Sequence, residues 1–368
     1  MKKVSIYSNL YIFIFIIILI IPFFSNLLQI NIESSLEEKR ELSSKPEFDF
    51  DASFTREYEQ YYNDNFGLRT LFVNWNSKVK LDLFKVSPNP DVVIFGKDGF
   101  MFYNSKTDGI YESYSNKDTA SIDNLEKAYR NQLNIKNSLA KKNIKYILGF
   151  FPNKHTIYSE KLPLSMRLQI QNGKSLASQL VDYFKEKKFP IVDVRNSLLM
   201  AKNQAQLYHK FDTHWNSYGA YIGYMSFFNQ TFDQLKIKPY DIIDFDIGYK
   251  KLRVGDLTNM IGIKQIKSYY DNSPVLKLKN KEITFTEESN SEYSKKNIIT
   301  VNENCNNTNT VLIFGDSFTE ALVQYFSLHF RKVIYIRRTK ILMNLVEKIQ
   351  PDIVMSLSTQ RYLYRLIK

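Results

Sequence analysis

Apolar positions change their spacing along the chain in a way that predicts alternating strands and helices. Val311, Leu312, Ile313 and Phe314 form a short apolar run with β-branched members, followed by Gly315. Phe318, Ala321, Leu322, Tyr325 and Phe326 then recur at helical spacing. This pattern predicts a buried strand, a tight turn and a helix over 318–329. Runs of the same buried-strand type occur at 144–151, 191–194, 333–336 and 353–357, and helical patterns lie at 118–142, 174–187, around Leu198 and at 341–349. Strands alternating with helices require crossover connections, so the fold class predicted is α/β with a mostly parallel sheet. Residues 235–309 are less regular and predict a β-rich insertion with surface loops.

Upstream, Phe54, Tyr58, Tyr61, Tyr62 and Phe66 mark one helical face that Gly67 stops, and a second amphipathic stretch runs through Trp75, Val79 and Leu83. Gly96, Lys97, Asp98 and Gly99 lie between two short apolar runs, which is a hairpin signal. Nearer the amino terminus, residues 4–32 carry no charge and 10–24 are apolar throughout, a length that with Leu27 and Leu28 suffices to span a hydrocarbon core. Lys2 and Lys3 precede it and Glu33 follows, so the positive-inside rule leaves the amino terminus in the cytoplasm. No A-x-A-like site follows Phe24, which favours a retained signal anchor over a cleaved signal peptide. The expected organisation is a cytoplasmic tail (1–9), a transmembrane signal anchor (10–30), a linker (31–50) and a domain over 51–368 that contains the insertion at about 235–309. That domain is expected outside the cytoplasm, periplasmic or extracellular, on a single-pass protein of the cytoplasmic membrane.

Composition narrows the chemistry. The 368 residues carry a net charge of +12, which favours an anionic partner such as an acidic polysaccharide or a membrane surface, but the lysines are dispersed along the chain. No basic run interleaved with aromatics points to nucleic acid. The single cysteine, Cys305, cannot form an internal disulfide, and neither a C-x-x-C nor a zinc pattern is present. No metal and no cofactor is expected.

Ser317 falls where a strand turns into a helix, a position from which a hydroxyl can act as an acyl-transfer nucleophile. Ser317-x-x-Glu320 also fits a capping box, in which the serine simply caps the helix. Four histidines are available: His155, His209, His214 and His329. Asp212 and His214 are two residues apart, so in an extended or turning backbone both project to the same side and the carboxylate can orient the imidazole. Trp215 is expected beside that ring, with Asn216 or Ser217 capping the next helix. His209-x-x-Asp212-x-His214 has an alternative reading as a metal cluster, weakened by the lack of a third well-spaced ligand. His329 is placed to cap helix carbonyls. His155 follows a strand end, where open α/β sheets place ligands.

Together, Gly315-Asp-Ser-Phe318 and Asp212-Thr-His-Trp215 resemble the SGNH-hydrolase-like domain of the alginate O-acetyltransferase family, the AlgJ and AlgX type also called DHHW. The similarity extends through Asp64-Asn-Phe-Gly-Leu-Arg69, Phe151-Pro-Asn-Lys154, Gly255-Asp-Leu-Thr-Asn-Met260 and Pro351-Asp-Ile-Val354 leading to Arg361, about residues 37–365 in all. The resemblance implies a flavodoxin-like SGNH sheet with permuted motif order, the Asp/His pair preceding the serine, to which the hydropathy pattern adds the transmembrane helix. It also implies Ser317 as nucleophile, His214 as general base and Asp212 as its orienting partner. The reaction implied is O-acetylation of an exported polysaccharide, with a membrane-bound O-acyltransferase of the AlgI type supplying the acyl group and no cofactor of its own. Lys154, His155, Arg361 and Tyr218, which flank these motifs, are the candidate substrate-binding or oxyanion residues. The separate Gly and Asn of ordinary SGNH oxyanion holes are not found, and Gln360 stands where the family pattern has Glu. A carbohydrate acetyl esterase with the same triad, and a catalytically silent polysaccharide-binding or assembly protein, are the alternatives.

Overall fold

A computed structural model describes residues 2–27, 42–49, 51–84, 86–105, 108–263, 270–280, 284–291, 293 and 296–367. The chain divides into two compact units, one of residues 1–93 with 256–266, the other of residues 94–255 with 267–368. The expected single domain over 51–368 is therefore divided: residues 51–93 belong with 256–266, and within that unit the Ser77 hydroxyl donates to the Ile261 carbonyl at 2.9 Å.

The first unit holds helices α1 (Lys2–Leu27), α2 (Ala52–Asp64) and α3 (Arg69–Asp82). The two predicted amphipathic helices are α2 and α3. Asp64 closes α2 against the preceding segment by accepting both the amide and the hydroxyl of Ser43. The transmembrane part of the predicted fold class is corrected here. Among the described residues no helix is long and apolar enough to cross a membrane. Pro22 lies inside α1, where its ring removes a helical hydrogen bond. Residues 28–30 of the expected anchor, and most of the expected linker, lie outside the described residues.

In the second unit the strands are β1 (Val93–Phe95, shared with the first), β2 (Met101–Tyr103), β3 (Lys145–Phe151), β4 (Ile191–Asp193), β5 (Phe245–Leu252), β6 (Asp271–Leu278), β7 (Thr286–Glu288), β8 (Asn297–Val301), β9 (Thr310–Gly315), β10 (Lys332–Arg337) and β11 (Ile353–Thr359). Seven form one sheet in the order β4-β3-β11-β9-β10-β8-β7. The first five are mutually parallel, while β8 runs antiparallel to β10 and β7 antiparallel to β8. The predicted helices are α4 (Ile122–Ala140), α5 (Leu176–Glu186), α6 (Arg195–Ala201), α8 (Ser317–Phe326) and α9 (Met343–Ile349), with α7 (Ser217–Leu235) between α6 and β5.

β9 shows why its sequence is apolar without alternation. Val311 and Ile313 pack into the core on one face of the sheet, Leu312 and Phe314 into the core on the other. A parallel strand covered on both faces has no solvent side to make polar. The irregular region at 235–309 resolves into two pieces. β5 and β6 make a separate antiparallel ribbon, whereas β7 and β8 extend the main sheet beyond β10.

Candidate active site

The turn after β9 is set by packing. Gly315 has no positive φ, but a Cβ there would lie 2.4 Å from Thr319 Oγ1, so a side chain is excluded where α8 folds back on its strand. The N-cap of α8 is Asp316, whose Oδ1 accepts the Phe318 amide at 3.0 Å. Its Oδ2 accepts the amide and hydroxyl of Thr359 from the end of β11, and its carbonyl accepts the Tyr335 hydroxyl from β10. Asp316 thus ties together the carboxyl ends of three adjacent strands. The reading of Ser317 as the helix cap is corrected by one position. With the cap filled by its neighbour, Ser317 opens the first turn with its hydroxyl uncommitted to the helix.

That hydroxyl donates to His214 Nε2 at 2.7 Å. On the other side of the ring Nδ1–H donates to Asp212 Oδ1 at 2.6 Å, and the same carboxylate oxygen accepts the His214 backbone amide at 3.0 Å. An ionised carboxylate only accepts, so the network places the proton on Nδ1 and leaves Nε2 to receive the serine proton. Phe318, rather than Trp215, lies against the imidazole, with ring centroids 4.9 Å apart. Trp215 packs behind Phe318 and donates Nε1–H to the Phe318 carbonyl at 3.1 Å. Gly223 leaves room for this indole, since a Cβ there would lie 2.7 Å from it. Asn216 caps α7 by accepting the Gly219 amide.

The loop carrying Asp212 is held from below by a buried lysine. Lys154 Nζ donates to the carbonyls of His209, Lys210 and Asp212 at 2.9, 3.3 and 2.8 Å and lies over the ring of Phe102. From the other side Gly255 passes so close that a Cβ would meet the Phe211 carbonyl at 2.2 Å and Asp212 Cβ at 2.9 Å. His209 turns toward the β-ribbon, its Nδ1 hydrogen-bonded to Asp271 and Ser273. Asp271 also accepts from Gln206 and from the Lys210 amide; burial alone would raise its carboxyl, but these partners, His209 foremost, hold it below the usual range.

A cleft of about 450 Å³ opens on Ser317 and His214, lined by Phe285, Ile298, Thr300, Ala321, Val323 and Gln324 and by three charged residues, Glu287, Glu320 and Arg337. Glu320 and Arg337 pair across it at 3.6 Å. None of the four residues read as substrate-binding or oxyanion candidates lines this cleft. Lys154 is spent on loop carbonyls. His155 is buried against Phe102 and Tyr114, with Nε2–H donating to the Tyr103 carbonyl at 2.9 Å. Burial first, and then the Lys154 charge, lower its pKa to about 3, so it stays neutral. Arg361 lies behind Phe318, 5.8 Å from that ring and 5.1 Å from Tyr362. Tyr218 packs against Tyr221 on α7. The Gln360 departure has a local partner: its Oε1 accepts the Thr156 hydroxyl at 2.8 Å. His329 does not cap carbonyls with its ring; Nε2 meets the Tyr224 hydroxyl at 2.7 Å. Sequence reading missed Glu287 because strand β7 is short and exposed and carries no periodic signal, and Arg337 because it lies at the exposed end of β10, just past the apolar run.

A serine at the carboxyl edge of a parallel sheet, paired with an Asp-oriented histidine from a second loop, is the arrangement of Ser-His-Asp acyl-group enzymes. A sequence model of the family described as SGNH hydrolase-like domain, acetyltransferase AlgX, matches residues 93–335, about two thirds of the chain, and the chain belongs to that family. The probable alginate O-acetylase AlgJ of Pseudomonas syringae pv. tomato is 26% identical over 173 residues, covering 46% of this chain and 40% of that protein. The match therefore spans less than half of that relative. The structure of Bacillus cereus PatB1 superposes with a TM-score of 0.55 at 17% identity, covering 75% of this chain and 99% of that one. A DHHW family protein from Eubacterium siraeum gives 0.50 at 14% identity, covering 74% and 91%. At these identities the structural likeness speaks to the fold.

Proposed function

We propose that this protein is an O-acetyltransferase that carries an acetyl group on Ser317 and passes it to hydroxyls of an exported polysaccharide. The observation that carries the reading is the 2.7 Å contact from Ser317 Oγ to His214 Nε2, made possible because Asp316 and not Ser317 caps α8. His214 Nε2 takes the serine proton as Oγ attacks the acetyl carbonyl of the donor, and returns it to the departing donor group. In the second half the acceptor hydroxyl gives its proton to Nε2 and attacks the acetyl-serine, and Ser317 leaves with the proton restored. Asp212 keeps the ring in the receptive tautomer and stabilises the imidazolium. Asp316 consumes the Phe318 amide with its carboxylate and the Thr319 amide with its carbonyl. The Ser317 amide, first in the helix, is then the backbone donor we assign to the oxyanion.

The family and the AlgJ relative support the acetyl group and the polysaccharide. The donor's supplier is proposed to be a membrane-bound O-acyltransferase of the AlgI type, and no cofactor is invoked. Lys2 and Lys3 before the uncharged segment support placement of the catalytic unit outside the cytoplasm. A reporter fused after Lys368 is expected to be active outside the cytoplasm, and activity confined to the cytoplasm would contradict this. The chemical test is to supply an activated acetyl ester with and without an oligosaccharide acceptor. Ester appearing on the oligosaccharide supports the transferase, and acetate released to water at the same rate with or without acceptor favours the esterase alternative.

A further inference from the structure

We infer that the antiparallel β5–β6 ribbon is a second binding site, one that holds an extended anionic polysaccharide beside the loop carrying Asp212 and His214. This rests on the polysaccharide reading above and adds to it a surface away from the cleft and the charge of its ligand. β5 is exposed from Asp246 to Lys251, and its register against β6 puts Ile247, Tyr249 and Lys251 on one face, opposite Leu276, Pro274 and Asn272. Leu276 and Pro274 are buried, whereas Ile247 is 45% and Tyr249 67% exposed, so the inner half of this face packs and the outer half is open. Tyr270, one residue before β6, is 44% exposed and has Lys251 Nζ 4.8 Å from its ring centroid. Single exposed apolar side chains need no explanation, but a row of them two residues apart, about 7 Å between neighbours, makes a strip along the strand.

The chemistry of the strip selects its ligand. Aromatic rings stack on the apolar faces of sugars, and an ammonium beside them pairs with an anionic substituent on the same chain. A lipid surface would require apolar and charged residues on opposite faces, but Tyr249 and Lys251 share one, with Lys250 on the other. The ribbon's own carboxylates do not oppose a polyanion at this end. Asp246 lies at the far end across from Lys277, and Asp271 is buried and bonded to His209 and to the Lys210 amide. Those same bonds tie the near end of the ribbon to the catalytic loop. Gly255, just past β5, does so from the other strand, since a Cβ there would lie 2.9 Å from Asp212 Cβ. Lys251 and Tyr270 adjoin these anchors in sequence, so a polymer lying along the strip ends beside the triad loop. A net charge of +12 over the whole chain attracts a polyanion without placing it, and the strip supplies the placement.

The test uses the full chain with a long and a short oligogalacturonate and a neutral cello-oligosaccharide matched to the long one. Binding is read by calorimetry, and acetyl transfer from an activated ester is measured separately. The wild type is expected to bind the long oligogalacturonate about tenfold more tightly than the short or the neutral oligomer, with affinity falling as salt rises. Tyr249→Ala with Tyr270→Ala, and Lys250→Gln with Lys251→Gln, should each remove most of that advantage and raise KM for the long acceptor about tenfold at unchanged kcat. Transfer to the short acceptor, acetyl-Ser317 formation and melting temperature should stay as in the wild type, because all four side chains are on the surface. Equal binding of the neutral and uronate oligomers, or double variants that bind the long uronate like the wild type, overturns the inference. It is also overturned if the variants lose binding to anionic vesicles, or self-association, while glycan binding is untouched, which would give the strip to a lipid surface or to a second copy of the chain. Binding is read without turnover, so the two readings fail separately. A protein that binds the long oligomer but forms no acetyl-Ser317 keeps the ribbon site and loses the acetyltransferase reading; one that forms acetyl-Ser317 but does not bind the long oligomer loses the ribbon site alone.

Discussion

Two strand ends in the same sheet, those of β9 and β3, carry similar local sequences and do opposite things. Each is a buried apolar run that ends in a turn with adjacent polar residues, Asp316 and Ser317 after β9, Lys154 and His155 after β3. After β9, the first polar residue absorbs the helix amides and strand-end donors, which leaves the second with a hydroxyl aimed at His214. After β3 both polar residues are buried, with Lys154 spent on three carbonyls of the Asp212 loop and His155 held neutral against Tyr103. Hydrogen-bond accounting, rather than position at a strand end, separates the residue whose hydroxyl is left open from the supporting ones.

The comparison is broken most sharply at Ser317. Ser317→Ala is expected to lower acetyl transfer by about 10⁴-fold or more, with His214→Ala nearly as severe because such residues act as a unit. Thermal stability should change by no more than about 0.5 kcal/mol, since the cap is elsewhere. Normal polymer acetylation by Ser317→Ala would remove the serine from the chemistry.

At the β3 end the expected pattern is reversed. Lys154→Met leaves three loop carbonyls without their donor and should cost about 2 to 3 kcal/mol in denaturant unfolding. Activity should fall as well, by about 10²-fold, because Asp212 loses the anchor of its own carbonyl. A variant with wild-type stability and a raised KM alone would make Lys154 a substrate residue after all.

The buried histidines supply a pH effect of intermediate size. Burial lowers His155 to about 3 and His329 to about 4, both below the ordinary value for a solvated imidazole. A depressed folded pKa means stability that is present above about pH 6.5 and is lost as pH falls toward the folded value. Each should cost about 2 kcal/mol at pH 5 relative to pH 7. Melting curves across that range should show acid lability, reduced in His329→Phe; an unchanged slope in that variant would contradict the assignment.

Of similar size, Asp316→Ala should cost about 2 kcal/mol through loss of the cap and of the bonds from Thr359, while Ser317 keeps its partner. Tyr218→Phe should leave kcat/KM within about twofold, since Tyr218 stands outside the cleft; a larger loss would return it to the candidates for substrate binding.

Much of this molecule was legible before its structure. The five parallel strands announced themselves as apolar runs because a sheet buried on both faces requires them, and Asp212 and His214 were found because i, i+2 spacing needs no knowledge of the fold. What was not legible depended on long-range contacts. That Asp316 would outcompete Ser317 for the cap follows from Thr359 and Tyr335, at the ends of two other strands. Lys154 looked like a ligand-binding cation because no local pattern reveals that its ammonium meets carbonyls some 55 residues away in sequence. The cleft wall from β7 was hidden because its strand is three exposed residues long and finds its place only by pairing with β8.

The most direct test of the central claim is to trap the acyl-enzyme. The protein is incubated with an activated acetyl ester without acceptor, quenched in acid and digested, and the acetylated peptide is sequenced by mass spectrometry. The account predicts one acetyl group on Ser317, discharged when an oligosaccharide acceptor is added before the quench and absent from both Ser317→Ala and His214→Ala. An acetyl group on another residue, or one on Ser317 that accumulates equally without His214, would contradict it.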